Sequence, residues 1–194
     1  MVDKLPATPR RRDAILAAAE REFASQGYDG ARIERIAGLA GVNKQLLFHY
    51  FDSKEGLFSA AVGAILGRFD AAETAGPNPA ESVRARLGGL VAAARAEPGL
   101  VGLLADARAN PRFPREAAEL LRRWMERLLY RLTADLEDGQ RRGYFRDDMD
   151  PARLAAVASG AALGRGALPS AGGSADDSID AYLTHLVTDH CAWR

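Results

Sequence analysis

Only one cysteine, Cys191, occurs in the 194 residues. A lone thiol closes no internal disulfide, so the fold must rest on packing, and a reducing, cytoplasmic setting is expected. Aromatic residues are scarce at 7%, and β-branched residues are few, which removes the usual material of strands. No excess of either charge exists: 26 basic side chains meet 26 acidic ones. No net field therefore draws the whole chain toward nucleic acid or an anionic membrane, and any basic surface has to be local. The longest uncharged apolar stretches, Gly56–Gly67 and Leu154–Gly164, fall far short of the ~20 residues that cross a bilayer. The opening MVDKLPATPRRRD has no apolar run behind its charges, so no secretory signal is read and no membrane partner is expected. A Gly-rich phosphate loop, a GxSxG elbow and an HExxH pair are all missing, so neither catalytic residues nor a metal or other cofactor are expected.

What remains is rich in Ala, Leu and Arg, with 47% hydrophobic residues, and this composition predicts an all-α protein. After an aperiodic arm, Thr8 and Pro9 mark the start of a helix whose apolar positions Ile15, Ala19 and Phe23 recur until Gly27. Arg32–Ala40 places Ile33, Ile36, Ala37 and Ala40 on one face and ends at Gly41. Asn43 is positioned to cap a third short helix carrying Leu47, Tyr50 and Phe51 inward, and Ser53 with Glu55 suggests a capping box for a fourth. Longer helices follow over about 53–75, 79–96, 99–109, 114–142, 151–168 and 177–191, with prolines at the breaks. The predicted architecture is a three-helix module on a helical bundle, divided into 1–53 and 54–194, with helix four as the link.

Two short helices joined by a glycine turn can lay the second in a DNA major groove, provided their crossing stays small. Ala37, Gly41, Val42 and Leu47 meet that steric need. The third helix then projects Gln45, Leu46 and His49 away from its apolar side, with Lys44 near its start and Phe48 alongside, a set suited to base edges and phosphates.

The stretch Gly27–Phe58, GYDGARIERIAGLAGVNKQLLFHYFDSKEGLF, resembles the DNA-binding domain of the tetracycline-repressor (TetR) family of bacterial transcriptional regulators. IAGLAGV, HYF and SKEGLF stand in the family's order and spacing, and the likeness covers about Arg11–Val62. The resemblance implies that Asn43, Lys44 and Gln45 lie at the reading end of the third helix, with Lys44 and Gln45 reading bases. It implies that Phe48, His49, Tyr50 and Lys54 touch bases or phosphates. Gln can pair with adenine in a bidentate way, and Lys can reach guanine acceptors or a phosphate. Where family members often carry Thr, this chain has Ala31 and Leu46, and it has Phe48 where Tyr is frequent. Leu46 could meet a thymine methyl, and Arg32 could replace a lost phosphate contact. Arg10, Arg11 and Arg12 either enter a minor groove beside the main contact or are merely solvated. Residues 1–54 hold nine basic against seven acidic side chains, so affinity has to come from arrangement and from two copies.

The resemblance further implies a homodimeric repressor on a palindromic double-stranded DNA operator, released by an unidentified small-molecule inducer. The last two helices, 151–168 and 177–191, would then form the dimer interface. Gly160, Gly164 and Gly166 in an Ala-rich helix each cost on the order of 1 kcal/mol relative to alanine, which either that interface or tight packing within one chain would offset. Phe69, Phe113, Trp124, Met125, Met149 and Tyr130 are candidate linings of a ligand cavity, or plain core. The acidic run Asp147, Asp148 and Asp150 reads as a turn and helix cap rather than a magnesium site. Two other readings stay open at this point: a helical enzyme using His185 with nearby acids such as Asp189, and a protein-interaction module.

Overall fold

The computed structural model describes residues 9–72, 75–97 and 99–167, and no strand occurs among them. Among these described residues eight helices follow one another: α1 Pro9–Gly30, α2 Ile33–Leu39, α3 Lys44–Phe51, α4 Lys54–Ala72, α5 Pro79–Ala96, α6 Gly99–Ala109, α7 Arg115–Arg141 and α8 Pro151–Ala167. The expected helix at 177–191, with His185, Asp189 and Cys191, lies outside the described residues.

Local chemistry sets these boundaries. Gly27 does not end α1 outright. Its positive φ of 67° kinks the helix, a conformation glycine adopts without a Cβ clash, and one further turn runs to Gly30. Asn43 Oδ1 accepts the Leu46 N–H at 2.7 Å, and Asn78 Oδ1 accepts the Glu81 N–H at 2.9 Å; both are N-caps. Asp150 Oδ1 accepts the N–H groups of Ala152 and Arg153. The acidic run therefore contributes a cap, and no cluster of acidic, His or Cys side chains suited to a metal ion is found among the described residues. The capping box at α4 is corrected: Ser53 Oγ accepts the Gly56 N–H at 2.9 Å. That makes Gly56, not Glu55, the third helical residue, so only half the box exists.

By compactness the described chain falls into two units, one holding the chain through Ile65 with Leu103–Leu121, the other holding Leu66–Gly102 and the chain from Arg122 on. Helix boundaries and compactness thus divide the chain at different places, because the first turns of α4 bury Leu57, Phe58, Ala61 and Val62.

In the first unit, Phe58 is the centre of an aromatic cluster. It meets Phe23 edge-on at 4.8 Å, Tyr28 at 5.0 Å and Phe113 at 5.3 Å, separations at which edge-to-face pairs add to simple burial. Ile15, Ala18, Ile36 and Leu47 are sealed in the same unit. In the second unit, α5 packs on α8, with Leu87, Leu90, Val91 and Ala94 buried on one helix and Leu154, Ala155, Ala158 and Ala162 on the other. Arg86 Nε lies 2.6 Å from Asp135 Oδ2 between α5 and α7, and Phe69 meets Trp124 edge-on at 5.5 Å.

Candidate nucleic-acid interface

The α2–α3 pair is closed by backbone bonds. Ala40 N–H reaches Ile36 O at 3.0 Å, Val42 N–H reaches Ala37 O at 3.0 Å, and Gly41 N–H reaches Gly38 O at 3.2 Å. Gly41 sits at φ 65°, the left-handed conformation that turns the chain sharply after a helix. Ile33, Ile36 and Ala37 of α2 and Leu47 and Phe51 of α3 are all buried, and the two helices are in contact, so α3 is braced from behind. At its far end Asp52 adopts φ 59°, an uncommon value for a residue with a Cβ, and the chain reverses into α4.

With its apolar side sealed, α3 turns Lys44, Gln45 and His49 outward, while Leu46, Phe48 and Tyr50 are half-buried. Asn43 is spent on the cap. Lys44 Nζ lies 2.6 Å from Glu34 Oε1 and 5.8 Å from the Phe48 ring centre. The Lys44 hydrogen bond holds the Glu34 carboxyl below its ordinary range, helped by a backbone bond and by the ammonium charge. The Tyr50 hydroxyl oxygen is buried without a hydrogen-bond partner. Lys54, half-buried at the start of α4, donates to Asp29 O at 3.2 Å and stands 5.0 Å from the Tyr28 ring centre. Burial, with the nearby negative charges of Glu55 and Asp29, pushes the Tyr28 phenol above its usual range.

Arg32, the exposed residue preceding α2, is fixed through its backbone N–H, which donates to Glu22 Oε1 at 3.3 Å. Arg10, Arg11 and Arg12 stand on the first turn of α1 rather than on a free arm. Arg11 is half-buried, and the Arg12 guanidinium rests 5.3 Å from the Phe51 ring centre.

The cavity candidates separate. Phe69 and Trp124 come together in the second unit, beside a space of about 10 Å³ bounded by Arg86, Leu90 and Leu128. That is room for one water, far below the 300 to 1,000 Å³ of ordinary ligand pockets. Phe113 belongs to the first unit and packs on Phe58. Met125 is half-buried, and Met149 is 36% exposed. Tyr130 is not brought to Phe69 and Trp124: it is 77% exposed, because its position on α7 faces away from the buried Leu128 and Leu132 stripe.

Three residues that sequence reasoning passed over shape this face. Glu22, only 3% exposed, receives the Arg32 N–H and lies 2.9 Å from Arg35 Nε. Glu34 holds Lys44. At Gly56 a methyl group would fall within the van der Waals envelope of the Phe51 carbonyl oxygen. The signal for Gly56 was its place three residues after the Ser53 cap; Glu22 and Glu34 carried none that a single sequence displays.

Comparison with known proteins matches this region to a family described as "Bacterial regulatory proteins, tetR family", over residues 15–61. The HTH-type transcriptional repressor NicS of Pseudomonas putida is 31% identical over 144 residues, spanning 72% of this chain and 68% of NicS. The HTH-type transcriptional regulator RutR of Escherichia coli K12 is 47% identical over 60 residues, 31% of this chain and 28% of RutR. Among solved structures, AibR in complex with isovaleryl coenzyme A and operator DNA superposes with a TM-score of 0.75 at 19% identity, covering 92% of this chain and 98% of AibR. GusR of Salmonella enterica gives 0.71 at 23% identity, over 95% and 99%. At these identities the two structures establish the shared all-α fold.

Proposed function

This chain belongs to the TetR family of bacterial transcriptional regulators, and on that premise we propose that it acts as a cytoplasmic homodimeric repressor, gripping a palindromic operator and released by a small molecule. The observation that carries this reading is the outward stripe of Lys44, Gln45 and His49 on a helix whose opposite face is closed by Leu47 and Phe51. Lys44 and Gln45 read base edges, and Leu46 and Phe48 make apolar contact beside them. Arg10, Arg11, Arg32, His49, Tyr50 and Lys54 position the helix on phosphates, with Asn43 holding its amino end.

In this reading residues 1–53 bind DNA, and 54–194 bind the ligand and the second copy. Among the described residues, nothing lies within 4 Å of where a Cβ would stand at Gly160 and Gly164 on α8, and Val157 nearby is 61% exposed. That open face, with no described neighbour upon it, supports α8 as the helix that meets its mate. Ligand entry beside Phe69 and Trp124 requires the surrounding helices to part. A ligand preferring that parted state weakens DNA binding by its difference in affinity for the two states, typically 1 to 3 kcal/mol. That NicS is a repressor and that AibR is seen with an acyl-coenzyme A and operator DNA agree with this scheme.

The test is selection of genomic fragments on the purified protein, followed by gel-shift titration across salt. The expected result is enrichment of a two-fold repeated site, with Lys54→Ala binding it more weakly and with a shallower salt dependence. Retention of no fragment above background overturns the reading.

A further inference from the structure

We propose that Glu34 is a positioning residue for base reading: it keeps the Lys44 ammonium aimed from the start of α3 and cancels its charge toward phosphates of arbitrary sequence. This rests on the regulator reading above.

Lys44 is the first residue of α3, and the Asn43 cap fixes the backbone there. From that anchor its side chain runs between Glu34 Oε1 of α2, at 2.6 Å, and the Phe48 ring one turn along, at 5.8 Å. Both carboxylate and ammonium are exposed, so DNA can reach the pair without unfolding anything. The segment KQLLFHYF of α3 contains no acid of its own, so the carboxylate that holds this lysine comes from α2.

An ammonium has three donors and no acceptor. With one donor given to Glu34, two remain for the paired acceptors that guanine presents in the major groove. The pair so formed keeps the ammonium's two remaining donors but carries no net charge, and nonspecific affinity depends on net charge at the phosphates. Glu34 thus suppresses the sequence-independent part of binding while leaving the sequence-dependent part aimed. A free lysine would do the reverse, swinging to whichever phosphate lies nearest.

The experiment takes the duplex recovered by genomic selection, its single-base variants and a scrambled duplex, and measures binding of wild type, E34Q, E34D and K44M across salt. Circular dichroism melting confirms that each variant is folded. The inference predicts that E34Q binds the scrambled duplex about three- to tenfold more tightly, with a salt slope steeper by about two per homodimer. It predicts that E34Q, whose amide oxygen still accepts from the ammonium but no longer attracts it by charge, relaxes preference in part at the base pair where K44M loses it, and that E34D keeps it. If E34Q shifts every duplex by one common factor, or keeps the base preference that K44M loses, the inference falls and the regulator reading stands. If wild type itself distinguishes none of the duplexes, the two fall together.

Discussion

The backbone N–H of Arg32 donates to the buried carboxylate of Glu22 across 3.3 Å, tying the entry of α2 to the middle of α1. Because an unmade bond to a part-buried donor costs about 1 to 3 kcal/mol, Glu22→Ala should lower the urea midpoint without changing the slope of the transition. Glu22→Gln keeps an acceptor for Arg32 and loses only charge toward Arg35, so its loss should be smaller. Equal losses would mean that the Arg35 ion pair, not the Arg32 bond, holds α2.

Glu34 should titrate below the ordinary carboxyl value of 4.5, because its bond to Lys44 favours the ionised form. A depressed folded-state value means that the contribution to stability is present above the ordinary range and fades as pH falls through the folded value. NMR titration of the side chain should show this, and Lys44→Met should return the midpoint toward the ordinary one.

Gly56 and Gly67 both lie on α4 and should respond oppositely to alanine. At Gly56 the added methyl meets the Phe51 carbonyl oxygen, whereas at Gly67 nothing among the described residues stands within 4 Å. Thermal melting should show Gly56→Ala destabilised by about 1 to 3 kcal/mol and Gly67→Ala stabilised by up to about 1 kcal/mol.

The α8 face bearing Val157 and Gly160 should be the seam between copies. Val157→Glu or Gly160→Glu should halve the mass measured by light scattering while leaving the helical content intact. A mass that stays at the dimer value places the seam elsewhere.

Much of this was legible in the sequence, and the reasons are physical. The periodicity of Ile33, Ile36, Ala37, Leu47 and Phe51 can be satisfied only by burying that face, and Asn43, Gly41 and Asp150 stand where caps and turns need them. Helix ends were less legible: Gly27 kinks α1 rather than stopping it, because a helix can resume after one left-handed residue. Side-chain partnerships were the least visible. Glu22 with Arg32 and Glu34 with Lys44 join positions ten residues apart, a spacing that belongs to no local rule and exists only after the helices cross. The cavity candidates were hard to place for a similar reason, since an aromatic side chain at helical spacing fits the Phe58 cluster, the Phe69 contact or the open surface of Tyr130 equally well.

The central claim, that the outward stripe of α3 reads base edges, is tested most directly by Gln45→Ala against a panel of single-base variants of the selected duplex. The account predicts that discrimination collapses at one base pair in each half-site, by about 1 to 3 kcal/mol, and persists at the others. A uniform loss across the panel, or none, would contradict it.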